Sequence, residues 1–343
     1  MARIVVAGAG AIGASVAFHL ASAGARDVVL CDRGEVAGGS TGRAMGGVRQ
    51  QFSTAAEVTL AQESIRFFEQ LGPPFFLQVG YLFLATTDDG LARLEERMGL
   101  QRSLGVAVEP ARVPDGVRDD DVVGAVACWR DGVADPPAVT RELVRRARDL
   151  GVVLEEGLDA RDLDRDVLVI CCGPHSAELE PALPIRPLCR QLFETQPLDL
   201  ADDLPMVIEE ETGFHFRRRD SCLRVAMPDE ELRWGYETEV DETVFDDRLE
   251  RLRRRFPAAE DARVEQAWAG LYDMTPDAHP IIGRIADGVY AACGFSGHGF
   301  MQSPAVGRAL AEEILGRESP FDLSPYRLER FAGGAVFPET VVL

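Results

Sequence analysis

Gly8, Gly10 and Gly13 stand in the run Gly8-Ala9-Gly10-Ala11-Ile12-Gly13, between an apolar stretch (Arg3 to Ala7) and a helical pattern carrying Val16 and Leu20. Three glycines at this spacing suit a phosphate cradle. Gly8 permits a tight turn, Gly10 lets the backbone approach a pyrophosphate, and Gly13 lets helix and strand close together. The helix mouth, with Ala11 and Ile12 in its first turn, offers unpaired N–H groups and a partial positive charge. Asp32 ends the next predicted strand, 19 residues beyond Gly13, and Arg33 follows it. A carboxylate there binds ribose hydroxyls, so strand, turn, helix and acid together predict a dinucleotide site.

Two further glycine-dense loops lie near predicted strand ends. One runs from Gly38 to Gly47 and contains Ser40, Thr41, Arg43, Ala44, Gly46 and Gly47. The other contains Gly294, Gly297, His298, Gly299 and Phe300, with Met301 next. Cys172 and Gly173 follow a third apolar strand pattern, Val167 to Cys171. Loops of this kind allow backbone to approach a planar ring or phosphate oxygens, and a helix expected to begin near Ser303-Pro304 aims its positive end the same way. A long dinucleotide held at its phosphates by the chain's start and at its redox ring by the chain's finish would be FAD. An amino-acid substrate then needs a fixed cation, for which guanidinium is suited. Arg49 is the first candidate and Arg224 the second. Tyr272 is a candidate to orient carboxylate or amine, His298 to face the ring, and His215 to face substrate from above. Arg217-Arg218-Arg219 is expected at a solvated hairpin end. The five histidines show no metal spacing, and no general base is required if the amine arrives neutral.

The elements that must position these groups alternate along the chain. A βαβ start gives way after the helix holding Val58, Ala61, Ile65 and Phe68 to a different texture, which recurs after Pro187 as short strands at Gln191 to Gln196, Met206 to Glu209, Gly213 to Arg217 and Cys222 to Ala226. The expected fold is α/β (α+β overall). A discontinuous Rossmann-like FAD-binding domain (1–75, 135–186 and 275–335) is interleaved with an antiparallel-sheet substrate domain (76–134 and 187–274). A chain of 343 residues supports about two domains. Its net charge of −21 argues against nucleic acid or an anionic membrane as partner. All 36 basic residues are arginine, so no lysine ammonium serves the site. Seven scattered cysteines without a CxxC suit reduced thiols, and the N-terminus shows no signal peptide; the expected location is the cytoplasm.

The N-terminal fingerprint, the segment Gly39 to Arg49, the segment Ala269 to Asp277 and the loop Gly294 to Phe300 resemble the D-amino-acid-oxidase-like FAD oxidoreductases. The C-terminal segments are most similar to the branch holding sarcosine, dimethylglycine and glycine oxidases and the β-type subunits of amine dehydrogenases. The resemblance implies a mixed-sheet FAD domain, an antiparallel sheet roofing the flavin, and hydride transfer from a substrate α-C–H to give an imine that water hydrolyses. O2 would accept the electrons and give H2O2. Alternatives within the family are a dehydrogenase passing electrons to another subunit or carrier, and a non-catalytic FAD-binding assembly factor. Three departures matter. Gly270 stands where monomeric sarcosine oxidases attach flavin to a Cys, which implies non-covalent FAD. Arg224 and Met301 stand near places where relatives carry Lys. Tyr272 stands in the segment where glycine oxidases use Arg to bind substrate carboxylate.

Overall fold

The computed structural model describes residues 2–334 and 338–341. In chain order the strands are β1 (Ile4–Ala7), β2 (Val28–Asp32), β3 (Gly47–Val48), β4 (Phe76–Leu77), β5 (Tyr81–Ala85), β6 (Val108–Pro110), β7 (Gly124–Cys128), β8 (Gly132–Ala134), β9 (Val153–Glu156), β10 (Val167–Ile170), β11 (Arg186–Thr195), β12 (Met206–Glu209), β13 (His215–Arg219), β14 (Cys222–Ala226), β15 (Val264–Met274), β16 (Ile281–Ala286) and β17 (Val289–Cys293). The helices are α1 (Ala11–Ser22), α2 (Ala55–Leu71), α3 (Asp88–Ser103), α4 (Pro136–Asp149), α5 (Ser176–Leu179), α6 (Phe245–Arg255) and α7 (Gly299–Ile314).

Apolar runs without alternation make strands that are covered on both faces. Ile4-Val5-Val6-Ala7 is such a run, wholly buried, and β1 pairs in parallel with β2 on one side and β10 on the other. The resulting six-stranded sheet has the order β16-β17-β10-β1-β2-β9 and is Rossmann-like. Helix α1 crosses α7 closely enough that a Cβ on Gly307 would lie 2.2 Å from Ser15 Oγ. Helix α2 starts where Thr54 accepts from Glu57 N and ends at Gly72, whose φ of 56° needs glycine. Its Val58, Ala61, Ile65 and Phe68 are all buried, as their spacing predicts. Helix α4 is capped by Asp135 and opens with Pro136.

The second sheet has eight strands in the order β15-β11-β14-β13-β12-β5-β7-β6. It is not wholly antiparallel as expected, because β5 and β12 run parallel, Tyr81 opposite Met206. A short third sheet has the order β3-β8-β4. Several boundaries also differ from expectation. Strand β11 begins at Arg186, five residues before the expected start at Gln191, because it pairs along its length with the eleven-residue β15, which shows no alternation in sequence. Helix α7 begins at Gly299 rather than Ser303, with Pro304 inside it. The carbonyl that Pro304 leaves without a helical donor, Phe300 O, accepts instead from Ser303 Oγ at 2.9 Å. Arg217 is buried, not solvated, since β13 runs in the middle of the sheet.

Candidate active site

The cradle forms where β1 meets α1. Gly8 has φ 103°, and a Cβ there would lie 2.4 Å from Cys171 O; a Cβ on Gly13 would lie 1.8 Å from Gly8 O. Asp32 fixes the turn from the side: its two carboxylate oxygens accept from Ala9 N at 2.7 Å and Gly34 N at 2.8 Å. Thr41 Oγ1 accepts from Ala11 N at 3.0 Å, so the second glycine loop is tied to the helix mouth. Ser40 Oγ donates to Leu271 O at 2.7 Å, which ties that loop to β15 of the roof.

One cavity draws its wall from these parts together. Gly8, Gly10, Ala11, Ile12, Asp32 and Arg33 line it from the cradle, and Ser40, Thr41, Arg43 and Ala44 from the second loop. Cys172 and Gly173 line it after β10, and Gly297, Gly299 and Phe300 from the mouth of α7. From the roof come Tyr272 and His215. His215, Ala226 and Leu192 are consecutive partners across β13, β14 and β11, so they share one face of the sheet. Burial lowers the His215 imidazole to about 4, so it is neutral at pH 7. Its Nδ1 lies 2.7 Å from Gly213 O and so carries the proton, which leaves Nε2 as an acceptor. Burial likewise raises the Tyr272 phenol.

Other candidates stand behind the wall. Arg49 is buried, its guanidinium donating to Gln51 O and, at 2.7 Å, to Val341 O, with His298 Nε2 at 3.3 Å. His298 also meets Val341 O, at 3.1 Å, and packs edge-on against Phe52. Burial holds its imidazole well below the ordinary range. Neither side chain lines the cavity, because both are engaged by the C-terminal segment. Arg224 is tethered too: it pairs with Glu194 at 2.5 Å, donates to Ala44 O at 2.8 Å and stacks over Trp268. Gly46 and Gly47 serve packing, since a Cβ on Gly47 would lie 1.6 Å from Tyr81 Oη and one on Gly46 2.4 Å from Ala134 O. Gly13, Gly294 and Met301 also lie off the wall.

Three contributors escape a reading of sequence. Asp273 accepts from Gly294 N at 2.7 Å and lines the cavity, and burial raises its carboxyl to about 6. Arg217 donates to Met45 O at 2.6 Å, holding the second loop from above. Arg190 lines the cavity from β11. Its signal is a cation between Leu188 and Leu192 on one strand face, hidden because the strand is expected to begin only at Gln191.

The residues fit an FAD. At Gly39 and Gly173 the position of a Cβ meets no protein atom within 4 Å, which leaves room for close approach to the backbone along the wall. Among the described residues no cluster of His, Cys, Asp or Glu is suited to a metal ion, and the seven cysteines are free thiols. No helix among them is long and apolar enough to cross a membrane.

A Rossmann-like sheet opening on a glycine cradle, roofed by a second sheet, defines a flavin-dependent oxidoreductase. The chain belongs to the FAD dependent oxidoreductase family, whose model matches residues 3–313. It is 29% identical to the bovine (Bos taurus) FAD-dependent oxidoreductase domain-containing protein 1, over 99% of this chain and 87% of that one. It is 24% identical to sarcosine oxidase subunit beta of Rhodobacter capsulatus, over 98% of this chain and 90% of the relative. Among solved structures, L-proline dehydrogenase from P. horikoshii superposes with a TM-score of 0.90 at 26% identity, covering 98% of this chain and 99% of that one.

Proposed function

We propose that this enzyme oxidises a small amino acid or N-substituted glycine at the α-carbon, giving an imine that water hydrolyses, with O2 reduced to H2O2. The observation that carries the reading is the single cavity walled by the cradle, the mouth of α7 and the roof strands β11, β13 and β15. Bound FAD, held without a covalent link, supplies the hydride acceptor. The chain's own residues hold and orient. Backbone of the cradle and Asp32 take the pyrophosphate and ribose, while Gly297 and Gly299 border the site where α7 presents its positive end. Gly270 offers no thiol for attachment, and Cys172, whose thiol burial raises to about 12, is a poor nucleophile.

The amine must reach the site uncharged for its α-C–H to leave as hydride. His215, neutral at pH 7 with Nε2 as acceptor, suits an amine N–H and places no positive charge beside it. Tyr272 orients the substrate from β15, and the roof excludes water. The test is anaerobic: N-alkyl glycines, D-amino acids and L-proline are added to the yellow protein. Bleaching by at least one of them is expected; a flavin that none can bleach sinks the reading.

A dehydrogenase using another acceptor is the second reading. The absence of lysine and the likeness to an L-proline dehydrogenase favour it. Stopped-flow reoxidation separates the two, since a reduced enzyme that ignores dissolved O2 is a dehydrogenase.

A further inference from the structure

We infer that Arg190 is the anchor for a substrate carboxylate, so that this site takes α-amino or α-imino acids and discriminates against amines without an acid group; the inference rests on the amino-acid reading above.

The argument begins with accounting. In a chain with 57 acidic side chains to 36 arginines, an arginine without a carboxylate is informative. Arg33 and Arg161 line the cavity but are paired with Glu178 at 2.8 Å and Asp159 at 2.6 Å. Arg43 also lines it, but is exposed to solvent. Arg190 differs from all three. It forms no ion pair with a described carboxylate, and its Nε and Nη1 are buried without a hydrogen-bond partner. Burying unpaired donors of a guanidinium is costly, and such groups in a cavity wall call for an anion from outside. A guanidinium meets both oxygens of a carboxylate through Nε with Nη2 or through its two Nη atoms, and each of these forks takes in one of the unpartnered donors.

Strand register sets the neighbours. Arg190 lies directly opposite Gly270 on β15, and residues opposite one another share a sheet face. Gly270 has no side chain of its own, and the Arg43 stem lies over it, a Cβ there falling 3.0 Å from Arg43 Cβ. Tyr272, opposite Leu188, lies diagonally across, with the Arg190 guanidinium carbon 5.8 Å from its ring centroid. Tyr272 is in turn fixed by Gly297, where a Cβ would come within 2.4 Å of its ring. His215 and Ala226 continue the same face two strands away. An acid group at Arg190 therefore leaves the amine end of a small substrate on the side of the neutral imidazole.

The experiment uses the FAD-loaded protein and two probes that cannot be oxidised as amines, pyrrole-2-carboxylate and its neutral analogue pyrrole-2-carboxamide. Binding is read by calorimetry and by the visible spectrum of bound flavin, neither of which needs turnover. Arg190→Gln should weaken the carboxylate at least tenfold and change the carboxamide less than twofold, with Arg190→Lys between. Retained FAD and an unchanged melting temperature show that the variants fold. Equal losses for both probes, undiminished carboxylate binding in Arg190→Gln, or no carboxylate binding by the wild type overturns the assignment. Failure of the oxidation reading looks different: carboxylate binding that depends on Arg190 in a protein whose flavin no amino acid bleaches.

Discussion

At the scale of single residues, Arg49, Arg217, Arg224 and Asp273 are ionisable groups buried in or behind the cavity wall. Asp273 illustrates the cost. Burial raises its carboxyl to about 6 from an ordinary value near 3.8, although Gly294 N donates to it. A folded-state pKa above the unfolded one means the native protein holds this proton longer. Stability is therefore full below pH 4, falls as pH rises through 6, and stays lower above it. A shift of this size corresponds to roughly 3 kcal/mol. Asp273→Asn keeps an acceptor for Gly294 N and removes the titration. Its melting temperature, relative to the wild type, should rise between pH 4 and pH 7; parallel curves would refute the buried charge. Asp131, buried among Gln50 and Gln51 and raised by burial to about 6, titrates in the same window but cancels in this difference.

Elements show where sequence speaks clearly and where it does not. The βαβ start and its acid were legible because local chemistry fixes them: buried apolar runs, a glycine turn and a closing carboxylate lie within 32 residues. A consequence follows at Gly13, where any Cβ strikes Gly8 O. Gly13→Ala should lower FAD affinity at least tenfold, read by fluorescence titration; wild-type affinity would show that the cradle tolerates a side chain. The roof was less legible. Strands β11 and β15 depend on pairing between segments some 80 residues apart, so Arg186, Pro187 and Arg190 carry no local sign of a strand. The parallel pairing of β5 and β12 is equally non-local. Arg49 and His298 looked poised over a ring because their loops are glycine-rich, yet the contact that occupies them, Val341 O, comes from the far end of the chain. Helix α7 begins four residues before the expected Ser303, since Pro304, which ordinarily marks a first turn, lies inside it. Ser303 makes its interior position tolerable by satisfying Phe300 O. Ser303→Ala should cost about 1 to 2 kcal/mol in urea unfolding, and adding Pro304→Ala, which restores the helical N–H, should recover part of it. Additive losses would mean the hydroxyl has another function.

Across the whole molecule the chain makes both sheets before the cavity exists. The cradle is built by 4–32, the roof is completed at Met274, and the mouth of α7 arrives only after Cys293. Cross-ties then lock the parts: Thr41 to the mouth of α1, Ser40 to β15, Arg217 and Arg224 to the second loop. A ligand gripping both ends of such an assembly stabilises it as one body. Saturation at a hundred times Kd contributes about 2.7 kcal/mol, so removing FAD should lower the melting temperature by several degrees. The sharper readout is hydrogen exchange. FAD addition to stripped protein should slow exchange at Ala11 to Gly13 and at Gly297 to Gly299 with the same concentration dependence, because one molecule touches both. Protection confined to the cradle would mean the ligand is held by its phosphates alone, and the redox ring would have to be sought elsewhere.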